Sequence, residues 1–165
     1  SVAHQYKVVP LYQDDLSVTV ASESVGDLIA LGREVKVALA GHGSAVHSTD
    51  DRLSGCYGTI LHETPGADPL HQRNVTIFAD GQVDRSPCGS GTSARLALLH
   101  HHGSIGVGDA FHNEGIAGGV FVGHIESVSD DGAVVTTIEG SAHRHATSTF
   151  TLDPADALGL GFQLR

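Results

Sequence analysis

The sequence predicts an α+β domain in which short antiparallel strands curl around one buried helix. Three observations carry that expectation. Two hydrophobic periods coexist along the chain, one helical and one alternating. Glycine contributes 21 residues, enough for many tight turns between short strands. The 165 residues are 40% apolar and only 17% charged, the makeup of a globular chain able to bury one core.

Lys7–Leu11 and Leu16–Val20 read as strands around a turn at Gln13-Asp14-Asp15. From Ser22 the period changes: Val25, Leu28, Ile29, Leu31, Val35 and Leu39 recur at helical spacing behind a Ser22 or Ser24 cap. That helix should end near Ala40-Gly41. Residues 42–55 are polar and turn-rich, and Tyr57–His62 and Asn74–Phe78 read as strands separated by the loop Thr64–Pro69. The run Ala94-Arg95-Leu96-Ala97-Leu98-Leu99 is helical and apolar almost all round, so it should lie inside the fold. Further strands are expected at Gly118–Ile125, Ala133–Glu139 and Thr147–Leu152, with turns at Asp130-Asp131-Gly132 and Gly140-Ser141. No repeat and no linker divides the chain, so residues 1–165 read as a single domain.

Charge narrows the partners. A formal net charge of −10, with only 9 Lys and Arg spread thinly, argues against nucleic acid and anionic membrane surfaces, which need basic patches. No apolar stretch is long enough to span a bilayer and the first residues do not read as a signal peptide, so a soluble cytoplasmic protein is expected. Cys56 and Cys88 do not form a disulfide framework. Cys56, at a strand start beside Gly55 and Tyr57, reads as packing. The 12 histidines suggest metal at first sight, yet His100-His101-His102 face different directions at a helix end. His143 and His145 alternate on an expected strand without a companion ligand, so no metal is expected.

The segment from Asp84 to Ala94 holds the chemistry. It sets Cys88 between Pro87 and a glycine-rich turn, Gly89-Ser90-Gly91, that opens a helix. Proline fits at or just before a helix start, and glycines leave the backbone N–H groups open to a ligand. The helix aims its partial positive charge at the sulfur, where a thiol ionises more readily and a small anion can sit. A nucleophile or base beside a carboxylate site is the reading. The bland alternatives are a structural thiol at Cys88 and a turn cap at Asp84, and Phe78 in the alternating strand Asn74–Phe78 reads equally as ordinary core.

Those residues resemble the C-terminal half of the proline racemase family, which includes proline racemases, hydroxyproline 2-epimerases and 3-hydroxyproline dehydratases. The resemblance rests on FADGQVDRSPCGSGTSARLALLHHHG, VFVGHI and the closing TFTLDPADALGLGF, with LGREVKVAL and VHSTDDRLSGCYG upstream, and covers roughly residues 24–165. It implies a diaminopimelate-epimerase-like fold of two halves, each a barrel-like sheet around a central helix, with the active site between them. It implies that Cys88 is one of two opposed acid/base groups and that the backbone N–H groups of Cys88, Gly89 and Ser90 hold the substrate carboxylate. It also implies that Asp84 takes the ring ammonium and that Phe78 packs on the pyrrolidine ring. No cofactor is implied. Where the family most often has Cys-Gly-Thr this chain has Cys-Gly-Ser, which keeps the hydroxyl.

The family's other thiol lies in a Cys-Gly-His-Gly stretch of the N-terminal half. Ala40-Gly41-His42-Gly43 imitates it with alanine in place of the thiol, at a position belonging to the middle region, so the likeness is accidental. The expected partner is therefore a missing N-terminal half or a second copy in a homodimer. The expected activity is cofactor-independent racemisation or epimerisation of proline or 4-hydroxyproline, a small imino acid. Cysteine rather than threonine at position 88 leans away from the dehydratase-like lyase. The alternatives are that lyase and a non-catalytic imino-acid binding module.

Overall fold

The computed structural model describes residues 19–47 and 50–161. The expected strand Lys7–Leu11 lies outside them, and of Leu16–Val20 only Thr19 and Val20 are described, in no strand. Helix α1 spans Val25–Ala38 after a 3-10 turn at Ser22–Ser24. Ser24 stands at its N-cap without a side-chain capping bond, so the hydroxyl cap expected from sequence is not made. The strands are β1 (Gly58–Glu63), β2 (His71–Phe78), β3 (Gln82–Val83), β4 (Ala110–Gly115), β5 (Val120–Val128) and β6 (Val134–Glu139). Helix α2, Gly89–His101, runs between β3 and β4.

These strands form one sheet in the order β1-β2-β4-β5-β6, with β3 pairing the end of β2. Three neighbouring pairs along that path are antiparallel, but β2 and β4 run parallel, with His71 opposite His112 and Asn74 opposite Gly115. The sheet is therefore mixed, not antiparallel throughout. A parallel neighbour demands a crossover, and α2 lies in the connection that makes it. The sequence reading missed β4 because its inward positions are Phe111, Asn113 and Gly115, only one of them strongly apolar. Thr147–Leu152, expected as a strand, is irregular and exposed, as are His143 and His145.

Alternation along β2 divides the hydrophobic packing between the two faces. Val75 and Ile77 face α1, where they join Val20 and Leu28. The close approach depends on Gly32, since a Cβ there would lie 2.7 Å from that of Ile77. On the other face Leu96 and Leu99 of α2 pack with Ile105, Phe111, Ile125 and Val134. Gly123 of β5 lets α2 settle: a side chain there would sit 2.8 Å from Leu96 Cδ1. The same face of β2 presents Gln72, Asn74 and Thr76, all buried, beneath the start of α2.

Candidate functional site

The site grows out of the connection between β3 and α2. Asp84 Oδ1 accepts the Ser86 amide N–H at 2.9 Å, and Ser86 Oγ accepts the Cys88 amide N–H at 3.1 Å. These two local bonds wind Asp84–Cys88 into a tight turn with Pro87 buried inside it. Gly115 abuts the turn from β4, where a Cβ would come within 3.0 Å of Pro87 N. Cys88 then occupies the N-cap of α2 with φ 66° and ψ 107°. An N-cap is ordinarily extended, and a non-glycine residue at positive φ carries roughly 1–3 kcal/mol of strain.

Beneath the turn lie three buried polar side chains from three elements. Asn74 Nδ2 of β2 donates to the Pro87 carbonyl at 2.9 Å, and Asn113 Nδ2 of β4 reaches the same oxygen at 3.4 Å. Thr92 of α2 donates its hydroxyl to the Cys88 carbonyl at 2.7 Å and accepts from Asn113 Nδ2 at 2.8 Å. Sequence reasoning did not single these out. The available signal was a polar residue at an inward strand position, as at Asn74 between Arg73 and Val75.

The thiol lies across the first turn of α2. A Cβ on Gly91 would displace Ile60 Cδ1 and come within 3.1 Å of Cys88 Sγ, so a side chain there would crowd the sulfur. Ser90 Oγ is 3.7 Å from Sγ. The first-turn N–H groups of Gly89, Ser90 and Gly91 have no intrahelical acceptor, as at any helix start, and no acidic side chain stands in that turn. Such an arrangement can seat a small anion beside the thiol.

An open groove of about 570 Å³ adjoins the turn, lined by Phe78, Val83, Asp84, Arg85, Pro87 and Phe121 among others. Asp84 and Phe78 thus both line this groove. Cys88, Gly89 and Ser90 do not line it and stand past Pro87, on the helix side. Arg85 and Phe121 are groove residues that the sequence reading did not assign.

Cys56 lies apart, its Sγ donating to the Gly58 carbonyl at 3.4 Å. Further along the Ile60 face of β1, desolvation, and secondarily Arg95, push the His62 imidazole down to about 4, although the residue as a whole is exposed. Among the described residues, no group of three or more His, Cys, Asp or Glu side chains is placed to hold a metal ion. Nor is any helix among them long and apolar enough to cross a membrane.

The family model described as proline racemase matches residues 4–163. A trans-3-hydroxy-L-proline dehydratase of Azospirillum brasilense is 39% identical over 149 residues, 88% of this chain and 44% of that protein. A 4-hydroxyproline 2-epimerase of Rhizobium rhizogenes is 35% identical over 145 residues, 86% of this chain and 44% of that protein. The crystal structure of a hydroxyproline epimerase from Agrobacterium vitis with bound trans-4-hydroxy-L-proline superposes with a TM-score of 0.75 at 31% identity. It covers 90% of this chain and 43% of that one. The chain spans less than half the length of these relatives.

Proposed function

Because the chain belongs to the proline racemase family, we propose that it is the C-terminal half of a racemase or epimerase acting on proline or 4-hydroxyproline. In this reading residues 1–165 are one domain, one barrel-like half of a two-half, diaminopimelate-epimerase-like enzyme. The observation that carries it is Cys88, held at positive φ across the open first turn of α2, with Asp84 and Phe78 in the adjoining groove.

The chemistry follows from what such groups can do. The Cys88 thiolate takes the Cα proton and becomes a thiol, while the electron pair of the C–H bond passes into the substrate carboxylate. That charge is tolerable only against preorganised donors, here the first-turn N–H groups around Gly89 and Ser90. Asp84 Oδ2, left over when Oδ1 binds Ser86, receives the ring ammonium, and Phe78 lies against the ring. An acid on the opposite face, from the complementary half or a second copy, returns a proton and inverts the centre. No cofactor takes part in this scheme.

A second reading is favoured by the relatives themselves, since the dehydratase is the more similar of the two enzymes compared. There the same proton abstraction would be followed by departure of the C3 hydroxyl with a proton, as water, leaving an unsaturated ring. Incubation with trans-4-hydroxy- and trans-3-hydroxy-L-proline in deuterated water, in the presence of a complementary N-terminal half, separates the two. The proposed enzyme returns the epimer carrying deuterium at Cα, whereas a dehydratase consumes only the 3-hydroxy substrate. Ligand-induced shifts with neither exchange nor dehydration would leave a binding module. Cys88→Ser is expected to cost orders of magnitude in turnover while largely sparing ligand binding.

A further inference from the structure

We infer that Thr92, Asn113 and Asn74 are positioning residues, a buried clamp that sets the backbone dihedrals of Cys88 and so aims its thiol. The inference rests on the reading of Cys88 as a proton-transfer group. A residue's φ and ψ are fixed when the peptide groups on both sides of it are fixed. On one side the Pro87 carbonyl accepts from Asn74 Nδ2 at 2.9 Å and lies 3.4 Å from Asn113 Nδ2. On the other, the Cys88 carbonyl accepts the Thr92 hydroxyl at 2.7 Å and the Thr92 amide at 2.8 Å. Asn113 Nδ2 donates to Thr92 Oγ1 at 2.8 Å, which turns the single hydroxyl proton of Thr92 toward Cys88.

Helix capping alone does not call for this. The Thr92 amide already closes the first turn of α2, as it would in any helix, without the three side chains. All three side chains are at most 4% exposed and come from β2, β4 and α2, so the peptides on both sides of Cys88 are tied to the sheet, directly at the Pro87 carbonyl and through Thr92 at the Cys88 carbonyl. Asn74 also bears a cost: its Oδ1 is buried with no partner among the described residues. An orphaned acceptor is normally eliminated from a core. Turning the amide over would satisfy nothing, because Oδ1 would then face the Pro87 carbonyl. The donor end is what the fold retains, and it holds the peptide that precedes the thiol.

The experiment compares iodoacetamide alkylation of Cys88 and Cys56 in the folded chain, by mass spectrometry, for three proteins. Thr92→Val keeps the shape and deletes the hydroxyl; Thr92→Ser restores the hydroxyl. In the unaltered chain Cys88 should react well before Cys56. Thr92→Val should lower the Cys88 rate about tenfold with the Cys56 rate unchanged, and Thr92→Ser should return it to within about threefold. A role confined to stability would move the melting temperature without this serine rescue. If Thr92→Val loses its cooperative melt, Asn113→Ala is read in the same way, since it removes the donor to Thr92 and to Pro87. A fast Cys88 that keeps its rate in the folded variants overturns the clamp alone. A Cys88 no faster than Cys56 in the unaltered chain overturns the reading of Cys88 as well.

Discussion

At Asp84 two demands meet in one carboxylate. Its Oδ1 holds the Ser86 amide, and its side chain also lines the groove. Asn keeps an acceptor for the amide and removes only the charge, so Asp84→Asn separates the two roles. In a complete enzyme it should weaken proline binding by roughly 2–4 kcal/mol, the loss of a desolvated charge pair, while barely touching pyrrole-2-carboxylate, which carries no ammonium. Titration calorimetry with both ligands decides this, and equal losses would leave Asp84 as a turn residue only. His62 sets a pH dependence of its own. Its folded value, about 4, lies below the ordinary 6.5, so the unfolded chain takes up a proton first as pH falls. The stability this neutral ring supports is complete above about 6.5 and declines as pH drops toward 4, reduced by the exposure of the residue. His62→Gln should flatten the urea-midpoint profile across that window, and an unchanged profile would mean the ring is not desolvated. The turn that carries Asp84 and Cys88 was legible because its proline and glycines are local in sequence, whereas Phe78 was singled out only through the family resemblance. Thr92, Asn74 and Asn113 were not legible, since their roles arise only when α2, β2 and β4 meet.

At the scale of elements, α2 against β5 and β6 decides how firmly the Cys88 turn is seated. Thr92 Cγ2 and Leu96 Cδ1 would lie 3.3 and 2.8 Å from a Cβ on Gly123, with Ile138 Cδ1 at 3.2 Å. Gly123 has no positive φ, so its value is space alone. Gly123→Ala should therefore destabilise by about 1–3 kcal/mol through overpacking, measured as a lower urea midpoint at unchanged slope. Because the added methyl presses on Thr92, Cys88 alkylation should slow in the same variant, while a midpoint unaffected by the methyl would show that the sheet gives way. Both helices and most strands could be read from periodicity: Leu28 and Gly32 are buried on α1, and Val75 and Ile77 on β2. β4 could not, because Asn113 and Gly115 fill inward positions with a polar clamp and a close approach. Losing β4 also hid the parallel pair, since the crossover has nothing to return to without it. Thr147–Leu152 failed the other way: it alternates like a strand, but no neighbouring strand of the sheet pairs with it.

For the molecule as a whole, the proposed inversion needs groups on two faces of the substrate, and Cys88 supplies one. A single thiol that removes the Cα proton and returns it from the same side regenerates the starting enantiomer. Cys56 is not offered as the second thiol, since its Sγ is engaged with the Gly58 carbonyl just before β1. The groove beside Asp84 is open, so water would weaken each electrostatic contact made there. Phe150 and Leu160, 93% and 91% exposed, likewise leave apolar surface that suits a covering partner. Purified residues 1–165 are therefore expected to give no conversion of L- to D-proline by polarimetry, and to gain activity when a complementary N-terminal half is supplied. One arrangement overturns this: two copies across a two-fold axis, with each Cys88 facing the other. Its signature is turnover that rises with the square of protein concentration while the dimer is scarce. That result would make the half-length chain an enzyme by self-association, with Cys88 serving as the base in one copy and the acid in the other.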